Sequence, residues 1–288
     1  MRVLTDTDVA RFPVSEAVEA MRAALLLHAQ GQLNAPPRLH AGGLTFTVGA
    51  TPQVFGFRAY HTRDTPHDDQ LVAVWNASGQ LEGVVAGSAL GPLRTSALGA
   101  VAADVLARPD ASRLGLIGSG IQARAHALAV ATVRPLSQVL IYSRDQRNCE
   151  TLAAELCERG LLAQAAESAE QVCAGSELLT LATNSPVPVI QAEWVRPGTH
   201  VCTLGPKERE RHEFPPELAA RAALIVTDSP AQLGAYPGGH VLASAEVLSL
   251  GACLQNLPSR QPSDITLFLS VGLAGTEVLL AQELLRPR

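Results

Sequence analysis

The chain has no run of basic residues and no positive excess. Its formal net charge is −5, with 22 Lys plus Arg against 27 Asp plus Glu. That argues against a nucleic-acid surface, which needs clustered Lys and Arg to displace counterions. No apolar stretch is long enough to span a bilayer, and the N-terminus lacks the charged-then-apolar pattern of a secretory signal. Cysteine is sparse and unpatterned. The five residues, at 149, 157, 173, 202 and 253, form no Cys-x-x-Cys pair and leave an odd total. That fits a reducing cytoplasm better than a disulfide framework. Internal repeats and low-complexity tracts are missing too. What is present is an ordinary globular composition, 47% hydrophobic and 17% charged over 288 residues, enough for two domains.

The most informative stretch is Leu114-Gly115-Leu116-Ile117-Gly118-Ser119-Gly120-Ile121-Gln122-Ala123. It reads as a buried strand running through a Gly-x-Gly-x-x-Ala turn into a helix, an arrangement that cradles a pyrophosphate. Gly118 permits the tight turn, Gly120 lets backbone approach the phosphates, and Ala123 lets the helix pack on the strand. The helix N-terminus presents free N–H groups to the anion. A glycine turn alone is weak evidence, and its context carries the reading. The apolar helix 125–131 leads to a second strand, Val139–Tyr142, which ends at Ser143-Arg144. The ribose-reading residue belongs there, roughly 20 residues after the turn. An Asp or Glu would bind the 2′-hydroxyl of NAD, but a hydroxyl beside a guanidinium suits a 2′-phosphate. Asp145 lies one residue late. The expected cofactor is NADP(H), with NAD(H) as the alternative.

Along the chain, Pro13-Val14-Ser15 precedes a helix expected over 16–30, with Ser15 as its N-cap and Gly31 as its end. The runs 44–48, 54–61, 70–76 and 81–87 read as strands, with a hairpin at Ser78-Gly79. Residues 88–107 are Ala-rich and expected to be helical after Pro92. Residues 1–107 therefore read as an α+β domain. Candidate strands at 114–118, 139–143, 161–165, 177–182, 200–204 and 223–228 alternate with helices, the rhythm of a Rossmann-type doubly wound parallel sheet. That places an α/β cofactor domain over 108–263. The end of the 177–182 strand should face the cofactor, which makes Thr183 and Ser185 neighbours of the nicotinamide or, equally, turn formers and caps. The segment 264–288 starts with a strand-like Ile265–Leu269 and ends in an apolar helix.

Three cations stand at structured positions in the first domain: Arg38 after Pro-Pro, Arg58 within the apolar run 54–60, and Arg94 entering the Ala-rich helix. A cation in an apolar run must be paired or bound to an anion. A substrate carboxylate would satisfy it, and so would a structural ion pair. His61, His67, Asp68 and Asp69 form a polar loop without metal-ligand spacing, so no metal is expected. No Ser-His-Asp or Cys-His set is recognisable.

On these residues the chain resembles the ornithine cyclodeaminase/mu-crystallin family. The resemblance runs over nearly the whole chain. It rests on Pro37-Arg38, Gly56-Phe57-Arg58, Gly91-Pro92-Leu93-Arg94-Thr95-Ser96-Ala97, Gly118–Ala123, Trp194–Val201 and Ser270-Val271-Gly272-Leu273-Ala274. It implies a first domain, 1–107 joined by 264–288, that binds substrate and forms a homodimer, and a second, 108–263, that binds the nicotinamide cofactor. It implies that Arg38 and Arg94 hold a substrate α-carboxylate. It further implies cofactor contacts from Thr95, Gly118, Ser119, Gly120, Ile121, Gln122, Ala123, Ser143, Arg144, Thr183, Asn184 and Ser185. The substrate class implied is a small amino, imino or keto acid.

Two positions depart from the family pattern. Arg58 stands where the family usually has Lys. Lys207, in Leu204-Gly205-Pro206-Lys207-Glu208-Arg209-Glu210, stands where the family has its catalytic Asp. An ammonium there repels a diamino substrate by about 4 kcal/mol at 4 Å and intermediate dielectric. A desolvated Lys207 could instead act as a neutral base. Glu208 or Glu210 could take its place, or the loop could be merely solvated. Glu277 stands where relatives often have Asp. The leading expectation is an NADP(H)-dependent oxidoreductase on an α-amino, α-imino or α-keto acid. The alternatives are ornithine cyclodeamination to proline and ammonia, or NADP(H) binding without catalysis.

Overall fold

The computed structural model describes residues 1–61 and 69–287. The N-terminal unit starts with β1 (Arg2–Leu4), α1 (Asp6–Ala10) and α2 (Val14–Ala29). Helix α2 begins two residues before its expected start. Pro13 occupies the N-cap position at φ −61°, and its carbonyl accepts from Ala17 N at 3.1 Å. Proline needs no N–H partner and is already set for helix entry, so Ser15 falls inside the first turn and does not cap. Gly31 follows the end of α2 in the left-handed region, φ +70°.

Strands β2 (Leu39–Ala41), β3 (Leu44–Ala50), β4 (Val54–His61), β5 (Gln70–Asn76) and β6 (Leu81–Gly87) form one sheet with β1. Its order is β1-β6-β5-β4-β3-β2, antiparallel except for the parallel β1–β6 pair. The two-residue period of a strand separates the faces unusually here. The buried face carries Thr45, Thr47 and Arg58, whereas Leu44, Val48, Phe55 and Leu71 are exposed on the other. Helix α10 (Thr276–Leu285) packs on the buried face. Its close approach requires glycine. A Cβ at Gly56 would lie 3.1 Å from Val278 Cγ1, and one at Gly49 would strike the backbone of Gly275.

Helix α3 (Leu90–Leu106) links the two sheets. It begins before Pro92, whose missing N–H costs nothing in a first turn, so the expected start after Pro92 is corrected to Leu90. The parallel sheet contains β7 (Arg113–Ile117), β8 (Gln138–Tyr142), β9 (Ala163–Ala165), β10 (Leu178–Leu181), β11 (His200–Thr203), β12 (Ala222–Thr227), β13 (Leu248–Ser249) and β14 (Ile265–Leu269). The order is β13-β12-β14-β11-β10-β7-β8-β9, parallel throughout. The helices of this unit are α4 (Ile121–Ala131), α5 (Gln146–Glu158), α6 (Ala169–Gly175), α7 (Leu218–Arg221), α8 (Pro230–Gly234) and α9 (Leu250–Gln255). This is a Rossmann-type doubly wound α/β sheet. The order reverses between β7 and β10, which opens a crevice at the carboxyl ends of the strands.

The segment 264–288 is divided between the two sheets. Strand β14 sits between β11 and β12, while α10 packs on β3, β4, β5 and β6. The boundary at 264 therefore has to move past β14. All five residues of Ile265–Leu269 are buried. Such a strand needs cover on both faces, which an interior place in a parallel sheet supplies.

Candidate functional site

The crevice is built from backbone first. Gly118, at the end of β7, has φ +119° and donates its N–H to Tyr142 O at 2.8 Å. A side chain there would run into the Ala182 backbone, with Ala182 C only 2.9 Å from the added carbon. Gly120 is the N-cap of α4 and faces open space, with nothing within 4 Å of an added Cβ. Ala123 is fully buried, Ile121 is exposed, and Gln122 holds a buried side-chain oxygen that has no partner among the described residues. This strand-end cradle with free space at a helix N-terminus fits a dinucleotide pyrophosphate.

At the end of β8, Ser143 Oγ lies 2.9 Å from Ser119 Oγ and 3.2 Å from Cys149 Sγ. The Asp145 carboxylate accepts Arg147 N–H at 3.0 Å and caps α5. That carboxylate therefore serves the helix, while Arg144 is exposed and has no ion pair among the described residues. At the end of β10 the polar residues are largely used internally. Thr183 donates N–H and Oγ1–H to Glu213 at 2.9 and 2.8 Å. Ser185 Oγ donates to Val187 O at 2.6 Å, and Asn184 is exposed, with its carbonyl accepting from Arg211. Thr95 is half-buried on α3, next to Arg94.

Arg38, Arg58 and Arg94 come together although they leave three different elements. Arg58 Nη1 donates to Glu277 Oε1 at 2.7 Å, and Arg94 Nη2 donates to the same oxygen. Burial alone would raise the Glu277 carboxyl, but Arg94 and Arg58 together hold it down at about 2. Burial lowers Arg58 against the pull of Glu277, and its guanidinium lies 4.2 Å above the Tyr60 ring. Arg38 Nη2 donates to Val271 O at 2.7 Å. Both Arg38 and Arg94 crowd Gly272, which sits at φ +90°. A Cβ there would strike Arg38 Nη2 and stand 3.6 Å from Arg94 Nη1. Arg38 has no carboxylate partner among the described residues, and the Nε atoms of Arg38 and Arg94 are buried without acceptors. Three arginines share one carboxylate, so the cluster retains a net excess of two positive charges, together with two unused donors.

Lys207 follows β11 and is 0% exposed. It is the chain's only lysine. Its ammonium donates to Gly205 O at 2.7 Å and makes no ion pair with a carboxylate among the described residues. Burial lowers its pKa, while Glu213, Cys202 and Asp228 pull it back up and Arg38 adds to the lowering. His240, also buried, is pushed down to about 4 by burial and then by Lys207. Glu208 is half-buried and Glu210 exposed.

Two buried carboxylates here escaped the sequence reading. Asp228, after β12, accepts from the amides of Val271, Gly272 and Leu273 at 2.9–3.2 Å. It fixes the turn whose Val271 carbonyl holds Arg38. Glu213 holds Thr183 and Gly205 in the same way. The available signals were an acidic residue directly after the apolar strand 223–227 and one inside His212-Glu213-Phe214. Among the described residues no cluster of metal-ligating side chains forms. His67 and Asp68 of the polar loop lie outside the described residues.

Comparison with known proteins bears on the family and the fold. The family model described as the ornithine cyclodeaminase/mu-crystallin family matches residues 65–284. An uncharacterized cyclodeaminase of Sinorhizobium fredii is 33% identical over 196 residues, 65% of this chain and 58% of that protein. The chain thus spans little more than half the length of that curated relative. A probable ornithine cyclodeaminase from Bordetella pertussis superposes with a TM-score of 0.90 at 25% identity, over 99% of this chain and 96% of the other. The iminosuccinate reductase of Paracoccus denitrificans, solved with NAD+, gives 0.87 at 26% identity, over 99% and 95%. The chain belongs to the ornithine cyclodeaminase/mu-crystallin family.

Proposed function

We propose that the protein is an NADP(H)-dependent reductase, or in reverse a dehydrogenase, of a small α-imino or α-keto acid. The observation that carries this is the arginine cluster. Glu277 neutralises Arg58 and Arg94 in part, while Arg38 keeps its charge without a carboxylate. A substrate α-carboxylate would offset one of the two positive charges left over and take up the unused arginine donors. Clamping one end of the substrate fixes the α-carbon over the crevice, and such orientation can account for several kcal/mol of barrier.

Gly118, Gly120 and the α4 N-terminus would hold the pyrophosphate. Bound cofactor supplies or accepts the hydride. Lys207 Nζ holds the proton that goes to the substrate nitrogen or oxygen as the C=N or C=O π bond is reduced. Burial disfavours its charge, so it releases that proton more readily than a surface lysine. Arg144 and Ser143 would bind the 2′-phosphate, since the Asp145 carboxylate is committed to capping α5. A diamino acid fits less well, because its distal ammonium would face Lys207 and Arg38. The relative solved with NAD+ acts on an imino acid by name, which supports the substrate class.

We also read the exposed sheet face of Leu44, Val48, Phe55 and Leu71 as the homodimer surface, because it is a contiguous apolar patch on paired strands. No described helix is long and apolar enough to cross a membrane. The unpaired thiols support a reducing cytoplasmic setting.

The test is NADPH oxidation with a panel of cyclic ketimines, α-keto acids with ammonia, and ornithine. Arg38→Ala should raise KM for the active compounds about 10–100-fold, the worth of a charge-assisted pair. No NADPH oxidation across the panel, or proline from ornithine without net cofactor turnover, would replace this reading.

A further inference from the structure

Glu213 is a fully buried carboxylate outside every motif that the sequence singled out. Its oxygens accept three donors: Thr183 N at 2.9 Å, Thr183 Oγ1 at 2.8 Å and Gly205 N at 2.5 Å. One side chain therefore joins the carboxyl ends of β10 and β11, neighbouring strands of the crevice. Its own backbone is fixed as well, with Glu213 N donating to Pro206 O at 3.1 Å and Glu213 O accepting from Val189 N at 2.9 Å. Gly205 has no room for a side chain, since an added Cβ would stand 2.5 Å from Glu213 Cδ. The carbonyl of that same Gly205 is what Lys207 Nζ donates to, at 2.7 Å.

A neutral residue would close two strand ends more cheaply, because burying a carboxylate is costly even when it is well bonded. The charge has a use next door. The charged and titratable groups facing Lys207 are Glu213, Asp228 and Cys202, which favour its proton, Arg38, which opposes it, and His240, which is pushed down to about 4 and so stays neutral beside it. The Asp228 carboxylate is spent on the amides of the 271–273 turn. Glu213 is the leading support among these groups.

We propose that Glu213 is a positioning residue of the reaction: it locks the ends of β10 and β11 together and holds the Lys207 ammonium on the Gly205 carbonyl. The role of that ammonium as proton donor rests on the reductase reading; the clamp itself does not.

Because the chain has a single lysine, protein grown on lysine labelled with 13C at Cε gives one lysine side-chain resonance. Its titration reports Lys207 without any turnover. Two variants separate charge from reach. Glu213→Gln keeps the length and removes the charge. It should lower the lysine midpoint by about one unit or more, shift the pH profile of kcat the same way, and cut kcat about tenfold or more with little change in KM. Glu213→Asp keeps the charge and shortens the arm. It should leave the lysine midpoint nearer the wild type and weaken NADPH binding about tenfold by displacing Thr183 and Gly205. Circular dichroism shows whether each variant is folded, and if Glu213→Gln does not fold, NADPH affinity of Glu213→Asp decides alone. An unmoved lysine resonance in folded Glu213→Gln, or unchanged NADPH affinity in Glu213→Asp, overturns the proposal. A moved resonance in a protein that reduces none of the imino or keto acids would sink the reductase reading and leave the clamp standing.

Discussion

Replacing Lys207 by Met should make the protein more stable and less active. The side chain is 0% exposed and its ammonium has a single hydrogen bond, to Gly205 O at 2.7 Å, with no carboxylate at ion-pair distance among the described residues. Taking an ammonium out of water costs several kcal/mol, and one neutral acceptor returns only part of that. Methionine has nearly the same length and no charge. The neighbouring carboxylates do not depend on Lys207, because Glu213 and Asp228 are satisfied by other donors. The expected gain is about 1–4 kcal/mol, the range for exchanging a buried charge for a fitted apolar group. In a chain of this size that raises Tm by roughly 2–7 °C.

The effect should depend on pH in a definite direction. The folded-state pKa of Lys207 is lowered, chiefly by burial, from 10.5 in the unfolded chain. Between the folded value and 10.5 the unfolded chain binds more protons, so wild-type stability rises with pH across that window. The advantage of Lys207→Met is therefore full below the folded pKa and gone by about 10.5. Cysteine and tyrosine titrations are common to both proteins and cancel in the difference. The assay is thermal or urea unfolding of both proteins from pH 6 to about 10.5, with kcat measured alongside. A loss of about 3–5 kcal/mol in Lys207→Met, the signature of a broken buried pair, would refute this account. It would mean that the ammonium holds Glu213 or Asp228 in place.

Glu277→Gln should cost about 3–5 kcal/mol, because Arg58 and Arg94 lose their shared buried counter-charge. The Glu277 pKa is depressed, so that stabilisation is full above its unfolded value of 4.5 and is lost as pH falls toward about 2. The Tm gap between wild type and Glu277→Gln should therefore close over that acid window, and a gap independent of pH would rule out the ion-pair account. Arg144→Asp should weaken NADPH about 10–100-fold and leave NADH unchanged or tighter. Fluorescence titration with both cofactors checks this, and equal losses would remove Arg144 from the 2′-phosphate. Phe55→Asp places a charge on the exposed sheet face beside Trp75, whose ring stacks on Phe55 at 6.0 Å. Sedimentation should then show a dimer for the wild type and a monomer for the variant; an unchanged mass would clear that face of the role.

Much of the fold was legible from local pattern. The strand–helix alternation over 113–228 and the Gly118–Ala123 turn are written in periods of two and 3.6 and in glycine spacing, and those signals reach only a few residues along the chain. The same locality explains the misses. The position of β14 was assigned by where it stands in the chain, yet five consecutive buried residues placed it inside the parallel sheet. Helix α2 starts at Val14, behind Pro13 and ahead of the expected cap Ser15, and α3 starts at Leu90, taking Pro92 into its first turn instead of starting after it.

The sequence by itself determined that the cations Arg38, Arg58, Arg94 and Lys207 exist and that Arg58 lies in an apolar run; it left open whether Lys207 is solvated. Only the tertiary structure decided what they face. Glu277 meets Arg58 across 219 residues and Arg94 across 183. Asp228 reaches the turn at 271–273, and Glu213 bridges two strands that the sequence separates by a long crossover containing the single 3-10 turn Ala192–Trp194. Charge balance in a buried site is a sum over groups brought together from distant parts of the chain. No window of sequence contains that sum, and the electrostatics that set the chemistry of Lys207 arise only when the sheet is closed.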